Sequence, residues 1–189
     1  MFSVKTIVLS LALFCACALP ALAQPKYKAT TCVIDHVDDG DTILCGVKRG
    51  KREIPQQFEL IGLDAPERSD MNNRWPDQPY WEEATDALAE LVLNKPVIIE
   101  IRGHIAAGIY RARVFVAYKG RSQDVSLLML MQGWAWRDPL TSRTLTPNEQ
   151  AIYAQAQGDA IVAKRGLWAN KDTDKPISPR RWRTTRGGQ

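Results

Sequence analysis

Between Lys28 and Gly62, three β-prone runs follow one another with only short polar breaks, which restricts the chain to a small set of architectures. Lys28 to about Val37 reads as a strand, Asp38, Asp39 and Gly40 as a turn, and Thr42 to Val47 as a second strand. An Asp-Gly turn between two such runs is a hairpin signal. The polar stretch Lys48 to Arg52 turns the chain again, and Ile54 to Gly62 returns as a third strand.

Helical periodicity begins after a loop over 68–79 that carries Asn72, Asn73, Pro76 and Pro79. From Tyr80, the apolar positions Trp81, Ala84, Leu88 and Leu91 recur at helical spacing, with Glu82 and Glu83 where the helix dipole favours acids. Val97–Arg102 and Ala112–Tyr118 are two further β-rich runs, separated by a loop over 104–108. Val125 to Met131 reads as a short buried helix closed by Gly133. Thr146, Pro147 and Glu149 form a capping box with proline at the first helical position, so another helix starts there. Its expected inner face is Ile152, Ala156, Ala160 and Ala163, and Gly166 stops it. The tail from Lys171 shows no periodicity and is expected to be a basic, flexible segment, with Arg180, Arg181, Arg183 and Arg186 around Trp182. Five strands, three of them early and consecutive, with about three helices, predict an α+β chain: a five-stranded Greek-key OB-fold barrel capped by helices.

The N-terminus carries the three-part pattern of a secretory signal: Lys5, an apolar run from Ile7 to Leu19, and Ala21-Leu22-Ala23 after Pro20. The run falls short of the ~20 residues a spanning helix needs, so cleavage is expected after Ala23, with a secreted or periplasmic product. Domain boundaries follow: a signal over 1–23, one folded domain over 28–170, and the tail over 171–189. Loss of Lys5 leaves 24 basic residues (25 − 1) against 21 acidic ones, too mild a balance to imply nucleic acid by itself. Of four cysteines, Cys15 and Cys17 leave with the signal. Cys32 and Cys45 remain, on what read as neighbouring strands of the first hairpin. They form either a disulfide, as an oxidising compartment allows, or two buried thiols a register apart. Two histidines and two cysteines without metal-ligand spacing make a poor zinc site, so zinc is not expected.

Two short segments carry chemistry. Asp39-Gly40-Asp41-Thr42 lies at the first hairpin tip, and Leu63-Asp64-Ala65-Pro66-Glu67 lies just past the third strand. Both put carboxylates at strand ends, where a rigid scaffold fixes side chains that remain open to substrate. Each segment alone is compatible with an ordinary turn; two at adjacent strand ends of one small barrel point to a site.

These segments, with Phe58-Glu59-Leu60 before the second, resemble the staphylococcal-nuclease (thermonuclease-like) family. The similarity continues through the helix from Tyr80, through Val125 to Ala135, and into Lys164 to Trp168, covering roughly residues 30–170. The resemblance implies a calcium ion held by Asp41, Asp64 and the backbone carbonyl of Ala65. Oxygen ligation of that kind also suits magnesium or manganese. It implies Glu67 as the residue that positions or deprotonates the attacking water. It also implies two phosphate-binding arginines. Glu59 stands where the first belongs. The second falls on Arg111, the preferred position, if the Lys119-Gly120 turn sets the register, on the alternative Arg113 if Val125 does, and a third registration would put Ile109 there.

The implied activity is hydrolysis of phosphodiester bonds in DNA or RNA, here by an exported enzyme whose oligomeric state the sequence leaves open, a monomer being the default expectation. The competing expectation is a non-catalytic oligonucleotide-binding module that has lost activity, with Glu59 as its main support. His36 and His104 are expected at the surface, and Trp134 and Trp168 in the core or barrel cap. Trp75 is a candidate for base stacking, and the Lys48–Arg52 turn for backbone contact.

Overall fold

A computed structural model describes residues 27–69, 76–169 and 176–186. The expected signal peptide, Trp75 and residues 171–175 lie outside the described residues. Among the described residues nine strands form: β1 Ala29–Val33, β2 His36–Asp39, β3 Thr42–Arg49, β4 Arg52–Leu60, β5 Leu63–Asp64, β6 Pro96–Ala106, β7 Ile109–Tyr118, β8 Arg121–Asp124 and β9 Trp136–Arg137. The same described residues hold four α-helices: α1 Trp81–Val92, α2 Val125–Gln132, α3 Pro147–Val162 and α4 Pro179–Arg186.

The main sheet runs β1-β6-β7-β4-β3-β2, with β8 added to β7, and β5 pairs separately with β9. The β4–β7 pair is parallel and its neighbours are antiparallel. This mixed sheet, helix-capped, is the α+β, OB-like arrangement expected from the strand succession. β1 and β3 are remote in the sheet order, yet a Cys32–Cys45 disulfide joins them at a Cα separation of 6.2 Å. The sheet therefore curls until its ends approach.

The first expected strand is in fact two. Ile34 is fully buried, and its backbone turns away from the hairpin to the corner after α1: its N–H donates to the Lys95 carbonyl and its carbonyl accepts from Asn94. β1 thereby leaves β3 and pairs with β6. Cys32 and Cys45 are thus bonded across the curl of the sheet, not along one hairpin.

The extra strands are short or polar. β8 forms because Lys119 and Gly120, both at positive φ, fold the chain tightly back onto β7. The expected loop at 104–108 is mostly strand, since β6 runs on to Ala106 before turning into β7.

Helix starts follow local chemistry. The capping box at Thr146 and Glu149 closes reciprocally, with Pro147 in the first turn. α3 buries Tyr153, Ala156 and Ala160, while Ile152 is exposed and Ala163 lies at the exposed end. Of the expected inner face, Ala156 and Ala160 are buried, while Tyr153 takes the place of Ile152 and Ala163 falls outside it. Tyr153 wins because its hydroxyl donates to Asp124 at 2.6 Å, which satisfies a buried carboxylate. α2 begins at Asp124, whose side chain accepts from Leu127 N–H, and ends at Gly133 with φ +83°. There a side chain would run into the Arg165 carbonyl oxygen, 2.4 Å from the position of a Cβ. Leu167 N–H donates to the Gly133 carbonyl, so α2 and the segment after α3 meet at backbone distance. The tail differs most from expectation: residues 179–186 form α4, with Trp182 only 5% exposed.

Candidate active site

The tip of the β2–β3 hairpin is the first wall of the site. Asp41 N–H donates to Asp39 Oδ1 at 3.1 Å, and the Asp41 carbonyl accepts from Leu60 N–H at 2.9 Å, tying the tip to the end of β4. Asp41 Oδ2 accepts from Ala65 N–H at 3.0 Å, and Oδ1 accepts from Thr42 Oγ1 at 3.1 Å. Gly40 is required by this approach. A Cβ on it would lie 2.7 Å from Ala65 Cβ and 2.9 Å from Ala84 Cβ. Only glycine lets the hairpin tip, the loop after β5 and α1 converge, and that convergence carries Asp41 to Ala65.

Asp64 ends β5, opposite Trp136. Glu67 follows on a loop fixed by Gln78, which is 2% exposed: Glu67 N–H donates to Gln78 Oε1 at 3.1 Å, and Gln78 N–H donates to the Glu67 carbonyl at 2.8 Å. Glu59 pairs in register with Thr42 on one side and with Arg111 on the other. Asp41, Asp64, Glu67, Glu59 and Arg111 all line one cleft of about 760 Å³.

The geometry separates the two candidate arginines. Arg111 stands in the cleft wall with its side chain about half exposed, and its Nε lies 3.8 Å from Glu59 Oε2. Arg113 lies away from the cleft. It donates to Asp124 at 2.5 Å and also pairs with Glu149, and its side chain is 15% exposed. Arg113 joins β7 to the starts of α2 and α3, so it serves the scaffold. Ile109 opens β7 and offers no polar group.

Electrostatics concentrate negative charge. Burial raises the proton affinity of Asp41 well above the ordinary carboxylate value, and the Asp39 and Asp64 carboxylates add to the rise. Burial also raises Glu59 and Asp64, against the opposing pull of Arg111 on the first and Arg183 on the second. Like charges gathered this closely favour a cation among them. Two carboxylates and a backbone carbonyl form an all-oxygen donor set that suits a hard divalent ion. Among the described residues no three carboxylate, imidazole or thiolate groups form a cage. An ion here would therefore complete its shell with water and phosphate oxygens, as magnesium and calcium readily do.

Two residues with a place in the site escaped sequence reasoning. Gln78 is an unremarkable glutamine in the sequence, and only its burial reveals that it braces Glu67. Arg183 was visible as part of a basic cluster, but nothing in the pattern placed it on Asp64 and Glu67. Its guanidinium donates to both Asp64 oxygens, at 3.1 and 3.0 Å, and also pairs with Glu67. His36 and His104 are exposed, as expected, with His104 against Tyr110. Trp134 is partly buried against the core, and Trp168 meets Trp136 edge-on. The Lys48–Arg52 turn is an exposed hairpin tip outside the cleft.

A family model described as staphylococcal nuclease homologue matches residues 57–170, well over half of the chain. The chain belongs to the staphylococcal nuclease homologue family. The matched span contains Glu59, Asp64, Ala65, Glu67 and Arg111, begins after Asp41 and ends before α4. A Haemophilus influenzae protein named "Uncharacterized endonuclease" is 30% identical over 179 residues, covering 95% of this chain and 85% of its own. Fungal proteins named "Probable endonuclease LCL3" are also similar: 33% identical over 134 residues in Nakaseomyces delphensis and 33% over 109 in Komagataella phaffii. The chain spans about half the length of those fungal relatives, 49% and 47%.

Proposed function

We propose that this protein is an exported, metal-dependent nuclease that hydrolyses phosphodiester bonds in DNA or RNA. One observation carries the reading: Asp41, Asp64, Glu67 and Arg111 converge on a single cleft from three separate segments, the β2–β3 tip, β5 with the loop after it, and β7. A family of nuclease homologues and relatives named as endonucleases support it. A pure binding module would gain nothing from three carboxylates facing phosphate.

Asp41, Asp64 and the Ala65 carbonyl would hold the divalent ion, with calcium the first candidate and magnesium or manganese also compatible. The bound ion supplies polarisation of the phosphate and offsets the charge that develops on it. Glu67 accepts a proton from the attacking water as the water oxygen bonds to phosphorus, the P–O bond to the leaving sugar oxygen breaks, and that oxygen takes a proton from solvent; the Glu67 loop is held in place by Gln78. Arg111 donates to the phosphate oxygens in the transition state. None of these groups reads a base, so little sequence preference is expected. Export is supported by the signal pattern over 1–23 and by the Cys32–Cys45 disulfide, since such bonds persist in oxidising compartments.

The rival binding-module reading draws on Glu59, which takes the expected arginine position and lies beside Arg111. It predicts affinity without cleavage. Purified mature protein assayed on single- and double-stranded DNA and on RNA, with calcium and then with chelator, tests both. Cleavage that requires the cation, and that is lost in Asp41→Asn and Asp64→Asn, is the expected result. Equal cleavage in chelator overturns the metal assignment, and binding without cleavage favours the module.

A further inference from the structure

The last described segment returns to the cleft by several independent contacts. Gln78, whose main chain and side-chain oxygen hold the Glu67 loop, uses its remaining amide to donate to the Ile177 carbonyl at 2.7 Å. Trp182 is buried, which seats α4 against the body of the protein. α4 begins at Pro179 beside the Asp64 end of the cleft. One turn on, Arg183 donates to both Asp64 oxygens and pairs with Glu67. A tail without hydrophobic periodicity is thus attached at the two carboxylates the proposed chemistry most needs.

The Arg183 contact conflicts with that chemistry. Both Asp64 oxygens accept from the guanidinium, so a divalent ion at Asp64 must displace an existing cation. The same guanidinium covers Glu67 Oε1, so an attacking water must compete with it for the carboxylate. We propose that α4 is an autoinhibitory arm: Arg183 competes with the divalent ion for Asp64 and with the attacking water for Glu67. The site loads only when that guanidinium withdraws. This inference rests on the metal-dependent reading given above.

The energetics favour a reversible block. A guanidinium bidentate on one carboxylate and paired with a second is a charge-assisted contact, stronger than a neutral hydrogen bond. The Arg183 side chain is 41% exposed, so water and salt weaken it. Tethering offsets that loss, because a side chain on a docked helix acts at a high effective concentration against a dilute ion. Trp182 keeps α4 seated while the long arginine side chain swings away, and nucleic-acid phosphate offers the released guanidinium another partner.

Calcium binding to the full mature chain, measured by titration calorimetry without nucleic acid, tests the block without reference to activity. Manganese serves as a second probe. Arg183→Ala should bind calcium at least tenfold more tightly than the parent. Arg183→Gln, which keeps most of the side chain and removes its charge, should do the same and covers a poorly folding alanine variant. Arg181→Ala removes one positive charge from an exposed neighbour and should change affinity less than twofold. Asp64→Asn should abolish binding in every background. If the Arg183 variants bind no more tightly than Arg181→Ala while Asp64→Asn still abolishes binding, the arm is refuted and the metal site stands. If neither the parent nor any variant binds calcium or manganese, the metal reading fails and the arm fails with it.

Discussion

Replacing Glu59 probes the position where this chain departs from the family pattern the sequence resembles. Glu59 faces Arg111 across a parallel strand pair, 3.8 Å apart, with side chains 38% and 49% exposed. Half-exposed pairs of this kind contribute about 0–1 kcal/mol once screening and side-chain entropy are counted. Glu59→Gln should therefore change stability by no more than ~1 kcal/mol. It removes a carboxylate from a phosphate-facing wall and frees Arg111. Glu59→Arg goes further and places a donor where the resemblance expects one. Two cations on neighbouring strands repel by roughly 0.2–1 kcal/mol when no substrate is bound, a small loss in thermal stability. At the transition state one restored charge-assisted contact of about 1.4 kcal/mol raises turnover tenfold. Initial rates on a defined oligonucleotide, with melting temperatures as the folding control, should rank Glu59→Arg above Glu59→Gln above the parent. If both variants fold and neither is faster, this site uses no arginine there, and the binding-module reading gains. A slower Glu59→Gln would show that the carboxylate itself takes part.

Three further outcomes follow from the geometry. Arg111→Ala should lower turnover about 10²-fold with little effect on melting, whereas Arg113→Ala should cost about 3–5 kcal/mol in urea unfolding by stranding Asp124; the reverse pattern would exchange their roles. Hydrogen bonds and the Arg113 pairing outweigh partial burial and hold Glu149 below its ordinary value of 4.5, so its stabilising effect is present above that pH and fades as pH falls through the depressed value. The melting difference between parent and Glu149→Gln should accordingly be widest near neutrality and vanish in strong acid; a difference independent of pH would contradict this. Replacing Cys32 and Cys45 together by alanine should cost about 3 kcal/mol in chemical denaturation, given a sequence separation of 13, and a loss under ~1 kcal/mol would mean the bond constrains little.

Local signals in the sequence survived where local chemistry decides the outcome. The hairpin tip was legible because Gly40 sits between two aspartates and its lack of a side chain is what brings Asp41 to Ala65. The capping box at Thr146 was legible because both its partners lie within one turn. What failed was set by contacts distant in sequence. The inner face of α3 depends on Asp124 needing the Tyr153 hydroxyl. The division of the first strand depends on Ile34 pairing at the corner after α1. Arg111 and Arg113 lie two apart on β7 and share a face, so alternation could not separate them. Only what lies near each one, Glu59 or Asp124, does so. α4 was invisible for a related reason: its polar sequence buries little beyond Trp182, and its place is fixed by carboxylates more than a hundred residues upstream.

The central claim is that Glu67 is the proton acceptor of a phosphodiesterase centre, and the single-turnover cleavage rate of Glu67→Gln tests it most directly. Glutamine keeps the size and loop of the native residue and removes only its capacity to take a proton. With excess enzyme, calcium present and a labelled oligonucleotide, the account predicts a rate lower by roughly 10²–10⁴ than the parent. Oligonucleotide affinity, measured in parallel, should change little. A variant that cleaves as fast as the parent, or that loses affinity in proportion to rate, would contradict it.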